Sequence, residues 1–228
     1  MYTDITRLIS HWIDKDTLCR LEAYGRNSKL GLNLVGDSIF TTAIQHKCDK
    51  LGIKTRTTPE FWDLPFVVDD EMENPPRVPR TEKAMDNDID HVYWSDKTDM
   101  SANAAAALSV ITDLSEFKNC IVAVCGRGHG VKGLARSLIV NDYTVTQCHA
   151  YTKDIKYAIH TADVVVWAQQ DWPFIAGAFP VRTRLIIDIS YQVPKAFLPD
   201  KVVHVGNIAT SILINRAMST CFAAKPNR

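Results

Sequence analysis

The chain has 228 residues, enough for one large domain or two small ones at ~100–200 residues each. Hydrophobic residues make up 46%, which suffices for a core, and 26 Lys and Arg balance 26 Asp and Glu, so nothing suggests a surface built to track nucleic-acid phosphates. The apolar runs, such as Ile121 to Cys125, fall far short of the ~20 residues that cross a bilayer, and the start MYTDITRLIS has no signal-peptide pattern.

The first stretch runs from Met1 to about Thr58. Ile5, Leu8, Ile9 and Trp12 have helical spacing. Leu30 to Val35 reads as a buried strand ended by Gly36-Asp37, and a helix from about Thr41 to Leu51 stops at Gly52. From Thr57 to Asp99 the chain is polar and carries Pro59, Pro65, Pro75, Pro76 and Pro79, which excludes one long helix and predicts loops with short strands. Ser101 is placed to cap an Ala-rich helix from Ala102 to Leu114. Strands at Cys120 to Cys125, Thr144 to Cys148, Val164 to Ala168 and Leu185 to Ile189 then alternate with helices at Val131 to Val140 and Ile155 to His160, with a further strand at Val202 to Val205. That alternation predicts an α/β fold with a parallel, doubly wound sheet, and the continuous apolar strands VVVWA and LIIDI suit a sheet covered on both faces. Asn207 to Ala224 reads as a terminal helix.

Cys19, Cys48, Cys120, Cys125, Cys148 and Cys221 show no metal or redox spacing. They read as reduced thiols, several of them in the core, in a cytosol-like compartment. The seven histidines form no H-x-x-x-H or H-E-x-x-H pattern, so no metal is expected, and no G-x-S-x-G elbow is present.

The most informative segment is CIVAV-CGRGHGVKG-LARSLIV, which holds Gly128-His129-Gly130-Val131-Lys132-Gly133 after Gly126 and Arg127. A G-x-G-x-x-G between a buried strand and a helix is the context that dinucleotide binding requires. In that pattern Gly128 permits the tight turn, Gly130 lets backbone approach a pyrophosphate, and Gly133 lets helix and strand pack closely, while the helix N-terminus faces the phosphates. An NAD site usually places an acid ~20 residues on, at the end of the next strand. Here that strand ends Gln147-Cys148-His149-Ala150-Tyr151, with no carboxylate, and Arg127 and Lys153 lie nearby. A cationic, acid-free pocket favours the extra phosphate of NADP.

Several phrases together resemble the bifunctional methylenetetrahydrofolate dehydrogenase/cyclohydrolase (FolD-type) family. Thr144 to Asp154 is similar to its TVTxCHSxTxxL segment, Ala162 to Val166 to its ADIVV strand, and Leu185 to Ile189 to its VIDxG run. Val205 to Thr210 resembles VGPMT, Asp88-Ile89-Asp90-His91 resembles DVDG, and Leu34 to Asp37 with Leu51 to Ile53 resemble the VGD and GI that flank the family's catalytic helix. The resemblance implies a small α/β substrate domain over 1–100, an NADP-binding Rossmann-like domain over 101–206, and a C-terminal helix over 207–228 that returns to the first domain. It implies a cytoplasmic homodimer acting on a tetrahydrofolate derivative, with no nucleic-acid or membrane partner. Hydride would pass from the methylene bridge to NADP, and water would then open the methenyl product. Asp90 would grip the pterin, with Gly206 and Asn207 on the substrate side. Gly126, Arg127, Gly128, His129, Gly130, Gly133, His149 and Ala150 would hold the cofactor.

The departures bear on the hydrolytic step. The family's central lysine lies in a Tyr-x-x-x-Lys pattern. Counting back from Gly52 puts Ile44 in its place, whereas counting forward from Gly36 brings Lys47 within one residue of it. Lys47 is the candidate, and Asp63, in Asp63-Leu64-Pro65-Phe66, stands where the family has a glutamine. A carboxylate beside Lys47 would raise its pKa and make it a poor base, so methenyl hydrolysis is expected to be weak while hydride transfer survives. Ala150 removes the serine hydroxyl of the family's CHS, Gly133 falls one residue late, and the TPVPGG segment is missing. Two other readings remain open: a folate- or nucleotide-binding relic, and an NADP reductase of an unrelated small molecule.

Overall fold

A computed structural model describes residues 31–57, 64–68, 76–78, 81, 84, 88–90, 100–149, 151–169, 183–190, 193 and 202–223. The chain divides into two compact units, one of residues 3–96 with 210–228 and one of residues 97–209. The expected helix around Ile5 to Trp12 lies outside the described residues.

The first unit holds a three-stranded parallel sheet. β1 (Gly31–Val35) is central, flanked by β2 (Lys54–Arg56) and β3 (Phe66–Val68) in the order β2-β1-β3. All five residues of β1 are buried, as a strand paired on both edges and covered on its faces must be. The helix α1 (Ile39–Leu51) connects β1 to β2. Ser38 caps it by accepting the Thr41 N–H, and Gly52, in the left-handed region at φ 71°, closes it with N–H bonds to Asp49 and Cys48 carbonyls. β3 lies inside the proline-rich stretch, and a parallel bridge joins Phe66 to Asp88.

In the second unit, five parallel strands run in the order β5-β4-β6-β7-β8: β4 (Ile121–Cys125), β5 (Thr144–Cys148), β6 (Val164–Trp167), β7 (Leu185–Asp188) and β8 (Val202–His204). β6 and β7 are buried throughout, in line with their unbroken apolar sequences. From β4 the chain moves outward to the edge strand β5, then returns past β4 to β6. This reversal creates a crevice at the carboxyl ends of β4 and β6, where doubly wound sheets bind ligands. Ala-rich α2 (Ala102–Asp113) is capped by buried Ser101, which accepts the Ala104 N–H at 3.1 Å. α4 (Ile155–Thr161) precedes β6, and α5 (Gly206–Ala223) follows β8 after the single residue Val205.

The helix expected over Val131 to Val140 is shorter. A 3₁₀ turn (His129–Val131) comes first, and α3 (Leu134–Val140) starts only after Gly133. The reason is the left-handed Gly133 (φ 76°), which interrupts any continuous right-handed helix through the motif.

Cys48, Cys120, Cys125 and Cys148 are buried and form no disulfide among the described residues. Burial pushes the Cys48 thiol up to about 12, with adjacent Asp49 adding to the shift. The thiolate is the reactive form, so Cys48 is expected to resist alkylation by iodoacetamide near neutral pH in the native protein and to react on unfolding in denaturant; peptide mass mapping of the labelled sites checks this.

Candidate functional site

The site begins where β4 ends. Gly126 has φ 147°, and a Cβ there would stand 3.0 Å from the Ala168 carbonyl oxygen and 3.1 Å from the Ala168 Cβ. Both neighbouring strand ends are stitched to this point. Gly126 N–H donates to the Cys148 carbonyl at 2.9 Å, and Ala168 N–H donates to the Cys125 carbonyl at 2.9 Å. Only a residue without a side chain fits between β5 and β6 here.

Beyond Gly126 the turn rises into solvent. Arg127 and Gly128 are exposed, and a Cβ on Gly128 would meet nothing within 4 Å. Gly130 packs back: its Cβ would lie 3.2 Å from Cγ2 of Ile189, at the end of β7. The Ser101 hydroxyl donates to the Gly130 carbonyl at 3.2 Å while capping α2, so one side chain fixes both the turn and a helix. Val131 N–H closes the turn on the Gly128 carbonyl at 3.2 Å.

These positions revise the roles assigned from the pattern. The positive φ values fall on Gly126 and Gly133, whereas Gly128 is extended at φ −65°. Gly126 and Gly130 are both closely packed, against Ala168 and Ile189. Open space lies beside Gly128, whereas a side chain on Gly130 would meet Ile189. A 3₁₀ turn capped by Gly128 follows the first glycines, and the α-helix begins only after Gly133.

At the end of β5, Gln147 Nε2 donates to the Gly126 carbonyl at 3.4 Å. His149 N–H donates to the Thr152 hydroxyl at 2.9 Å, and Tyr151 N–H donates to His149 Nδ1 at 3.1 Å. With Nδ1 accepting, the neutral ring carries its proton on Nε2. Asp154, an acid that follows this strand, is spent as the cap of α4, accepting the Tyr157 N–H at 2.9 Å. The segment therefore offers exposed Arg127 and the imidazole of His149, and no carboxylate aimed at a ribose among its described residues. Ala150 lies outside the described residues.

One feature went unread in the sequence. Asp188, at the end of β7, is fully buried, accepting from the Ser190 hydroxyl at 3.0 Å and from Val193 N–H at 2.8 Å, with His204 Nδ1 at 3.7 Å. An acid inside the apolar run LIIDI was the available signal, since a buried carboxylate demands such partners.

In the first unit, Lys47 is half-buried on α1, and Ile44, one turn earlier, is fully buried in the core. Burial, with Lys50 adding to it, lowers the Lys47 pKa below the ordinary lysine value of 10.5. That reverses the expected direction: desolvation disfavours the ammonium, and Asp63 lies outside the described residues. Asp90 is buried beside Arg216, a residue the sequence reading did not single out. Gly206 and Asn207 open α5, and the side chain of Asn207 lies outside the described residues.

The crevice, the bare turn and the strand order define a dinucleotide-binding α/β protein. Residues 101–221 match the family model "Tetrahydrofolate dehydrogenase/cyclohydrolase, NAD(P)-binding domain". That match spans more than half of the chain, and the protein belongs to this family. It is 24% identical over 260 residues to the bifunctional protein FolD 1 of Desulfitobacterium hafniense, across 91% of this chain and 92% of that protein. A stretch of 94 residues, 39% of this chain and 33% of the relative, is 37% identical to the bifunctional protein FolD of Parafrankia sp.. Similar solved structures include a 5,10-methylenetetrahydrofolate dehydrogenase from the silkworm Bombyx mori (TM-score 0.68, 16% identity, 95% of this chain and 96% of that one). Another is the Trypanosoma brucei methylenetetrahydrofolate dehydrogenase-cyclohydrolase complexed with NADP and inhibitor (TM-score 0.64, 16% identity, 98% and 96%). At these identities the structural likeness establishes the fold.

Gly126→Ala is expected to cost about 2 kcal/mol or more, because it combines overpacking with a strained φ. Gly128→Ala, at an open position with ordinary φ, is expected to stay within about 1 kcal/mol of the parent. Chemical denaturation of both variants checks the contrast.

Proposed function

We propose that this protein is an NADP-dependent methylenetetrahydrofolate dehydrogenase. The observation that carries the reading is the exposed, side-chain-free backbone at Gly128, just beyond the carboxyl end of β4 within the family's NAD(P)-binding domain. Bound NADP supplies the hydride acceptor. The chain's own residues do the rest. Backbone of the Gly126 to Gly130 turn cradles the diphosphate, Ser101 keeps that turn in place through the Gly130 carbonyl, and Arg127 with His149 Nε2–H meets the ribose phosphate. In the other unit, Asp90 accepts from the donor edge of the pterin ring. The family resemblance supports a homodimer, and the four buried, unbridged thiols support a reducing, cytoplasmic setting.

For methenyl opening, Lys47 is the candidate polar group. It lies three residues beyond Ile44, ~4.5 Å along the helix axis, a gap that a lysine side chain can span. Its lowered pKa leaves more neutral amine at a given pH than an ordinary lysine has, which favours a base at this position.

Three measurements test this reading. Purified protein given NADP and methylenetetrahydrofolate is expected to produce reduced cofactor; absence of turnover together with absence of NADP binding would refute it. Arg127→Ala is expected to weaken NADP binding about tenfold or more, the loss of one charge-assisted contact, with NAD binding little changed. Methenyl hydrolysis is expected to rise with pH through a midpoint below 10.5, because the neutral amine grows as pH increases. Lys47→Met should abolish that rise, and an unchanged profile would remove Lys47 from the site.

A further inference from the structure

Asp90 stands on a short buried turn, Asp88 to Asp90, that is held from two directions within the first unit. From the sheet, Phe66 bridges Asp88, and Ile89 N–H donates to the Phe66 carbonyl at 3.3 Å. From α5, Arg216 Nη1 donates to the Ile89 carbonyl at 3.1 Å, across 127 residues of sequence. The same nitrogen lies 4.0 Å from Asp90 Oδ1. That second contact is too long for a hydrogen bond, so the guanidinium bonds the carbonyl next to the carboxylate and steadies the carboxylate by charge alone. Arg216 is itself anchored, because Leu213 and Ala217 beside it on the helix are buried.

We propose that Arg216 is a positioning residue for substrate recognition: it sets the orientation of the Asp90 carboxylate toward a ring that presents adjacent N–H donors. This rests on the folate reading above. A carboxylate that accepts from two neighbouring donors must hold both oxygens in one plane, and a charge-assisted bond to the adjacent peptide fixes the backbone that carries it. Arginine suits the task because Nη1 is held in a rigid guanidinium plane, so its N–H keeps one direction on the Ile89 carbonyl with the charge 4.0 Å from Asp90; a lysine ammonium is a rotatable point charge on a flexible stem.

The test is a double-mutant cycle on the full chain with R216K, D90N and the combination, reading tetrahydrofolate binding, NADP binding and steady-state kinetics. R216K is expected to weaken tetrahydrofolate binding about tenfold, with NADP binding unchanged and KM raised at constant kcat. In the D90N background the R216K penalty should vanish, because the arginine acts through that carboxylate. The proposal is overturned if R216K binds tetrahydrofolate as the parent does, if its penalty is undiminished in D90N, or if NADP binding and kcat fall together with KM. Where D90N leaves no measurable binding, the KM-against-kcat split of R216K decides in the same two directions. Parent protein that binds no tetrahydrofolate would defeat the folate reading and this inference together, whereas tight parental binding with an indifferent R216K would defeat this inference alone.

Discussion

The nucleotide-binding unit depends on a contact from which side chains are excluded. Adjacent parallel strands bring their carboxyl ends together, and the backbone leaving β4 must pass between the ends of β5 and β6. At Gly126 a Cβ would stand 3.0 Å from a carbonyl oxygen, tighter than nearly all packed contacts, and the residue carrying it would have to adopt the strained φ of 147°. Once the backbone is threaded there, the Gly126 N–H is satisfied by Cys148 and the Cys125 carbonyl by Ala168, so the sheet closes without an orphaned polar group at its most buried end. The chain then has one direction in which to go, outward, and this puts bare peptide groups at Arg127 and Gly128 on the crevice.

Ser101 extends that constraint. Its single hydroxyl accepts from the first turn of α2 and donates to Gly130. The entry of the domain's first helix and the return of its glycine-rich turn are therefore one hydrogen-bonded unit, and neither can shift without the other. The first unit follows a related logic. Its turn at 88–90 is pinned by a strand on one side and by α5 on the other, so the carboxylate assigned to the substrate inherits its position from backbone bonds rather than from its own side-chain freedom.

Much of this was legible in the residues. Apolar runs such as VVVW and the LII of β7 predicted buried parallel strands because a strand covered on both faces has no use for alternation. Ser101 before an Ala-rich run predicted a capped helix, and Gly52 after Leu51 predicted a helix end, since both signals are local. β2 escaped notice because a three-residue edge strand reading Lys-Thr-Arg carries no periodicity. The glycine-rich turn lies between β4 and α3 as its sequence indicates, but the residues alone did not separate the surroundings of its members. Spacing says that several positions need to be bare but not which one turns, which one packs and which one stays open, and those differences arise from Ala168 and Ile189, 42 and 59 residues beyond Gly126 and Gly130.

Composition, hydrophobic pattern and short-range turn chemistry were thus enough for the α/β class, for the order of strands and helices in the second unit, and for a glycine-rich turn between β4 and α3, because each depends on neighbours within a few residues. The direction of the Lys47 pKa shift, the burial of Asp188 and the hold of Arg216 on the Asp90 turn were decided by tertiary structure. Burial sets the first, packing of neighbouring strands sets the second, and the last joins groups 127 residues apart, whose proximity exists only once the first unit's sheet and α5 have formed.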